Sequence, residues 1–225
     1  MGVTQTTEYR TTHREYTAAI YELAEAGLPV IQARIADWLG VSRPSVNEMV
    51  HRLAEDGLVT VDDEVRLTEQ GRHLAEVVVR RHRLAERFLS EVLGLPWVKV
   101  HEEAEVWEHI ISDDVEKAMW AKLGDPKTCP HGNPIPGAGY MPPPMVSISR
   151  MEGASTVERI SEELELDPEI MGFLDANGLR PGAEVEVVAR TPDGIVTVSV
   201  GGGSPVGLSP FIAERVYVVK QAVTV

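Results

Sequence analysis

Apolar residues recur at three- and four-residue intervals through the first third of the chain, give way to alternation at one short place, and return to alternation near the C-terminus. From about Glu8 to Glu25, Tyr16, Ile20, Leu23 and Ala24 share one face of a predicted helix, which Gly27 and Pro29 stop. A second helix is expected over about Ile31 to Leu39. Gly40 then supplies a tight turn, Ser42 an N-cap, and Pro44 a residue suited to the first helical turn. The third helix, about Pro44 to Glu55, carries Val46, Met49, Val50 and Leu53 on one side. LVTV and EVRLT, joined by Asp62-Asp63-Glu64, alternate as two short strands. Helix, helix-turn-helix and a two-stranded wing make a winged-helix unit, expected over residues 1–75.

A helix from about Glu69 to Leu93 follows, then shorter ones over about Val98 to Ile111 and Asp113 to Leu123, which together predict a helical dimerisation domain over 76–133. PIPGAGYMPPP concentrates proline and glycine and predicts a tether over 134–145. Beyond it, AEVEVVAR, GIVTVSV and RVYVVKQ alternate between glycine turns, as in a small antiparallel barrel over 146–225 with one helix near Pro168 to Ala176. The expected class is mainly α with a small β component.

Charge changes the picture. The chain of 225 residues has a formal net charge of -14, and residues 1–75 hold seven Lys and Arg against twelve Asp and Glu. A general nucleic-acid coat is therefore excluded, and DNA binding has to be local or conditional. The positions facing DNA from the third helix are Ser42, Arg43, Pro44, Ser45, Asn47 and Glu48, with Arg34 and Arg52 available to phosphates. The single cysteine, Cys129, excludes an intramolecular disulfide. The N-terminal residues carry no signal-peptide pattern and no run is long enough to span a membrane, so a cytoplasmic location is expected.

Two predicted helices carry metal-ligand types on single faces. His82 and Glu86 are four apart; His101, Glu105, Glu108 and His109 follow at intervals of four, three and one. In KTCPHGNP, Cys129 and His131 form a C-x-H clip that can add a thiolate and an imidazole to such a site. A carboxylate-bridged dimetal enzyme is a rival reading, but that chemistry repeats Glu-x-x-His within a four-helix bundle, and no such repeat occurs here. A regulator indifferent to metal is a further alternative.

Taken in order, IYELAEAG, ARIADWLGVSRPSVNEMVHRLAEDGLV, HRLAERFL, KVHEEAEVWEHIISDDVE and HGNPIPG resemble the diphtheria-toxin-repressor family over nearly the whole chain. The resemblance implies a homodimer that binds inverted-repeat operator DNA with a metal co-repressor, two or more ions per protomer, and a C-terminal SH3-like domain. It implies a primary site at Glu15, Glu105, Glu108 and His109, and an ancillary site at His82, Glu86 and His101. Ligands from the C-terminal domain are expected at Asp167 or Glu169, where its helix begins. Iron-responsive members usually carry methionine where this chain has Glu15 and cysteine where it has Glu105. Carboxylates at both positions, and Cys-Pro-His in the loop, look like the manganese branch, so Mn(II) is the expected ion and Fe(II) the alternative. On this reading the metal bridges reading head and dimer domain and sets the recognition helices about one DNA turn, roughly 34 Å, apart.

Overall fold

A computed structural model describes residues 11–219. The described residues divide into two compact units, 11–82 with 107–111, and 83–106 with 112–219.

In the first unit, α1 (Thr11–Glu25), α2 (Gln32–Leu39) and α3 (Arg43–Glu55) precede the hairpin of β1 (Val59–Val61) and β2 (Val65–Leu67). The start of α1 expected at Glu8 lies outside the described residues. Their faces fit because the apolar positions coincide: Tyr16, Ile20 and Leu23 of α1 meet Ile35 of α2, and Val46, Val50 and Leu53 of α3, over Leu58 and Val65 of the wing. Each such side chain stabilises the unit by about 1.5–3 kcal/mol when fully buried. Gly40 closes α2 in the left-handed region at φ 63°, which favours glycine. β1 and β2 pair antiparallel, Val61 opposite Val65. The helix α4 (Glu69–Glu91) begins over the wing, and Gly71 permits that approach, since a Cβ there would stand 1.9 Å from the carbonyl oxygen of Leu58.

The second unit takes the C-terminal part of α4, a 3-10 turn at Trp97–Lys99, most of α5 (Val100–Trp107), and α6 (Asp113–Lys122). Its strands are β3 (Met145–Ser147), β4 (Ala154–Ile160), β5 (Glu184–Arg190), β6 (Val196–Val200), β7 (Val206–Leu208) and β8 (Val216–Val219). They form one antiparallel sheet in the order β3-β8-β4-β5-β6-β7. Three helices accompany it: α7 (Glu162–Glu165), α8 (Pro168–Ala176) and α9 (Pro210–Ala213). Val157, Ile160, Val185, Val198 and Val218 of the strands close on Leu164, Met171 and Leu174 of the helices. This is the expected SH3-like domain.

Two local expectations are corrected. The helix expected to run to Ile111 ends at Trp107, and a turn carries Glu108 to Ile110 before Ser112 caps α6 by accepting from the Val115 amide. The Pro/Gly-rich stretch is partly packed rather than a plain tether: Ile135 and Ala138 are buried, and Lys127 Nζ donates to the Ala138 carbonyl.

Candidate metal centre and nucleic-acid interface

The loop after α6 is stapled before it reaches the sheet. The Cys129 amide donates to the Asn133 carbonyl and the Gly132 amide to the Cys129 carbonyl. Gly132 has φ +91°, and a Cβ there would meet the Glu158 carbonyl oxygen at 2.1 Å. Glu158 is the extra residue of a bulge in β4, between Val157 and Arg159, so a positive-φ glycine lies directly on the bulged strand. The Ile160 amide then donates to the His131 carbonyl at 2.8 Å. The chain leaving β4 turns at once into α7, which carries Glu165 back beneath the same loop.

Five donors converge there. His131 Nδ1 stands 2.7 Å from Glu165 Oε2 and 3.3 Å from Glu86 Oε1. His101 Nδ1 is 3.3 Å from both Glu86 Oε1 and Glu165 Oε2, and Cys129 Sγ is 3.9 Å from His131 Nδ1. Asn133 Nδ2 holds the other Glu165 oxygen at 2.7 Å and the Ile160 carbonyl at 3.0 Å. The side chains of Glu86, His131 and Glu165 are 0% exposed. Alongside, fully buried Arg83 donates to Glu162 Oε2 at 3.0 Å and to the Pro134 carbonyl.

Buried carboxylates so close require positive charge. One donor atom each from Glu86, His101 and Glu165 lies within 4.8 Å of the others, where two carboxylates repel by about 3 kcal/mol at an effective dielectric of 20. In the protein alone a proton answers this. Burial would lower the His131 imidazole, but Glu165 and Glu86 overcome it and hold it well above the usual histidine range. Burial would raise Glu165, yet His131 holds it below the usual carboxylate range despite Glu86. Burial first, then Glu86, pushes the Cys129 thiol up to about 12. The set fits a divalent cation: donors about 2.0–2.6 Å from a common ion stand roughly 3–4 Å apart, as these do.

The other donor set is open. His109 Nε2 is 3.8 Å from Glu15 Oε1 and 3.7 Å from Glu108 Oε1, with Glu15 43% exposed. His82, expected with Glu86 and His101, places Nδ1 at 2.8 Å from Glu108 Oε2. Glu105, on α5, is 58% exposed with Oε1 at 3.9 Å from His101 Nε2.

Asp167 and Glu169 are not brought into the cluster. Asp167 caps α8, its Oδ1 accepting from the Glu169 and Ile170 amides, and Glu169 is exposed on the first turn. The helix dipole accounts for both. Glu165 takes the place expected of them. In ISEELELDPE it is one of several adjacent acids, and the only signal for it is that it follows Leu164 on a turn beginning at a buried strand end.

In the reading head, Ser42 Oγ accepts from the Ser45 amide and pairs with Ser45 Oγ at 2.8 Å. Ser42, Arg43, Pro44, Ser45, Asn47 and Glu48 are exposed, whereas Val46 is buried. Arg52 pairs with Glu48 on the exposed face, a contact weak enough to exchange for phosphate. Arg34 is half-buried on α2.

Three family models match in succession: the N-terminal DNA binding domain of iron dependent repressors over 9–64, their metal binding and dimerisation domain over 68–137, and the FeoA domain over 152–220. Over 220 residues the chain is 40% identical to the iron-dependent repressor IdeR of Mycobacterium tuberculosis H37Rv, covering 91% of this chain and 95% of that protein. The chain belongs to the diphtheria-toxin-repressor family of metal-dependent transcriptional repressors. The diphtheria toxin repressor of Corynebacterium diphtheriae is 40% identical to this repressor over 201 residues, covering 83% and 88% of the two chains. A manganese-dependent transcriptional repressor in complex with manganese superposes with a TM-score of 0.84 at 35% identity, covering 93% of this repressor and 100% of that chain. The manganese regulator SloR superposes at 0.76 with 29% identity, covering 93% and 98%. The repressor thus carries DNA-binding and dimerisation domains, and among the described residues no helix is long and apolar enough to cross a membrane.

Proposed function

We propose that this repressor is activated by Mn(II), binds an inverted-repeat operator as a homodimer in the cytoplasm, and controls metal-uptake genes. The first metal set is Glu15, Glu105, Glu108 and His109, with His82 against Glu108. The second is Glu86, His101, Cys129, His131 and Glu165. The observation that carries the choice of ion is the donor composition: carboxylate and imidazole dominate both sets, and Cys129 is the single thiol among them. Hard oxygen-rich sets suit Mn(II), which forms weaker complexes than its successors and is selected by ligand type and geometry.

A bound cation supplies positive charge to each set. Glu15 ties α1 of the reading head to His109 and Glu108, so α1 keeps its place only while those carboxylates do not repel one another. Arg43, Ser42, Ser45 and Asn47, with Pro44 shaping the helix start, then meet DNA, and Arg34 and Arg52 take phosphates. Linkage requires operator DNA to tighten metal affinity by the factor by which metal tightens operator affinity. Titration of labelled operator with Mn(II) and with anaerobic Fe(II) tests the choice. Saturation by Mn(II) at its physiological free level, without an equal response to Fe(II), is expected; an equal response overturns it. Iron is the second reading, favoured by the 40% identity to repressors named for iron.

A further inference from the structure

Trp97 stands outside both donor sets, yet its indole N–H, its main-chain carbonyl and its ring all meet the loop that carries His131. The indole Nε1–H donates to the Pro130 carbonyl at 3.2 Å. The main-chain carbonyl of Trp97 faces His131 Nε2 at 3.4 Å. The two rings lie 4.7 Å apart between centroids, tilted by 58°. Arg180 places its guanidinium 5.2 Å from the Trp97 ring centroid, and the indole is buried in the core of the SH3-like domain. An aliphatic side chain of similar volume would fill the core without the indole N–H bond to Pro130 or the ring against His131.

We propose that Trp97 is a positioning residue: it fixes His131 with the proton on Nε2 and turns Nδ1 toward Glu86, Cys129 and Glu165. This rests on the second donor set binding metal. The chemistry is that of a ligating imidazole whose other nitrogen donates to a carbonyl, which settles tautomer and ring orientation together. The carbonyl belongs to the backbone and survives any substitution, but the indole N–H and the ring wall set where the Pro130–His131 peptide lies.

The first test uses the unmutated full-length protein, labelled with 15N and loaded with 113Cd(II), with His131→Gln assigning the imidazole signals. Cadmium coupling at Nδ1 and a retained proton on Nε2 are expected. Coupling at Nε2 overturns the positioning role while leaving metal binding by His131 intact. Coupling at neither nitrogen removes His131 from the donor set, and with it both this inference and that part of the metal reading. The second test compares Trp97→Phe, which keeps a ring and loses the N–H, with Trp97→Leu, which loses both. Mn(II) affinity of the second set should fall about tenfold in the first and further in the second, and operator binding should be rescued by correspondingly more Mn(II). A lower melting temperature of the metal-free protein with unchanged Mn(II) affinity would reduce Trp97 to a packing residue and overturn the inference.

Discussion

The two donor sets both rest on carboxylate and imidazole, with one thiol in the buried set, and differ in what holds them. Glu86, His131 and Glu165 are sealed from water, each fixed by hydrogen bonds to a strand end, a stapled loop or a short helix. Glu15 and Glu105 are about half exposed, and Glu15 meets His109 only at 3.8 Å. Packing has already placed the donors of the Glu86 cluster, and their electrostatic repulsion is answered by a proton on His131. The Glu15 set is held by longer and more exposed contacts and leaves more for a cation to do. On the proposed function, the open set is the one suited to switching, because its geometry can differ most between the metal-free and loaded states.

That contrast can be broken by substitution. In the metal-free protein, Glu165→Ala leaves His131 and Asn133 without their buried partner and should destabilise the second unit by about 3–5 kcal/mol, read from urea unfolding. A loss comparable to that of a surface acid would mean the cluster is not held by packing. Next comes Gly132→Ala, which adds a Cβ into the Glu158 carbonyl at a positive-φ position and should cost about 1–3 kcal/mol; an unchanged unfolding midpoint would show that the loop does not rest on the β4 bulge.

A smaller effect is expected from pH. His131 is raised in the folded protein, so its contribution to metal-free stability is complete below about pH 6.5, the unfolded value, and is lost as pH rises through its folded value. The loaded protein should behave oppositely, since a metal-bound imidazole is neutral and binding releases protons. Unfolding midpoints from pH 6 to 9 with and without Mn(II), and calorimetry in buffers of different ionisation enthalpy, would reveal the crossing; parallel slopes would contradict it. Least of all on the metal-free fold, Glu15→Ala should shift stability by no more than about 0.5 kcal/mol yet weaken Mn(II)-dependent operator binding at least tenfold by anisotropy. Intact regulation in that variant would leave the open set without a switching role.

The winged head was legible because its apolar spacing is regular and its turns are marked by Gly40, Ser42 and Pro44, which act within a few residues. The alternating strands and α8 were equally legible, the latter from Asp167 and Pro168 at its start. The site was legible only in part. His82 and Glu86 share a helix face, but the contacts of His82 with Glu108, and of Glu86 with His101 and His131, come from tertiary packing that the spacing does not encode. The spacing of His101 and Glu105 held because α5 continues through them; Glu108 and His109 fall in the turn after it, where helical periodicity no longer applies. Asp167 and Glu169 looked right from their place at a helix start, whereas Glu165, in a four-residue helix with no periodicity to speak of, is the acid that arrives.

By itself the sequence determined the longer elements, the order of the domains, and which residue types are available to bind metal and DNA, since these depend on spacing along a few turns of chain. Only the tertiary structure decided which carboxylates lose their water and face one another. That follows from the bulge at Glu158, the glycine laid upon it and the strand end that swings Glu165 under His131, contacts between segments some thirty residues apart that no local pattern encodes.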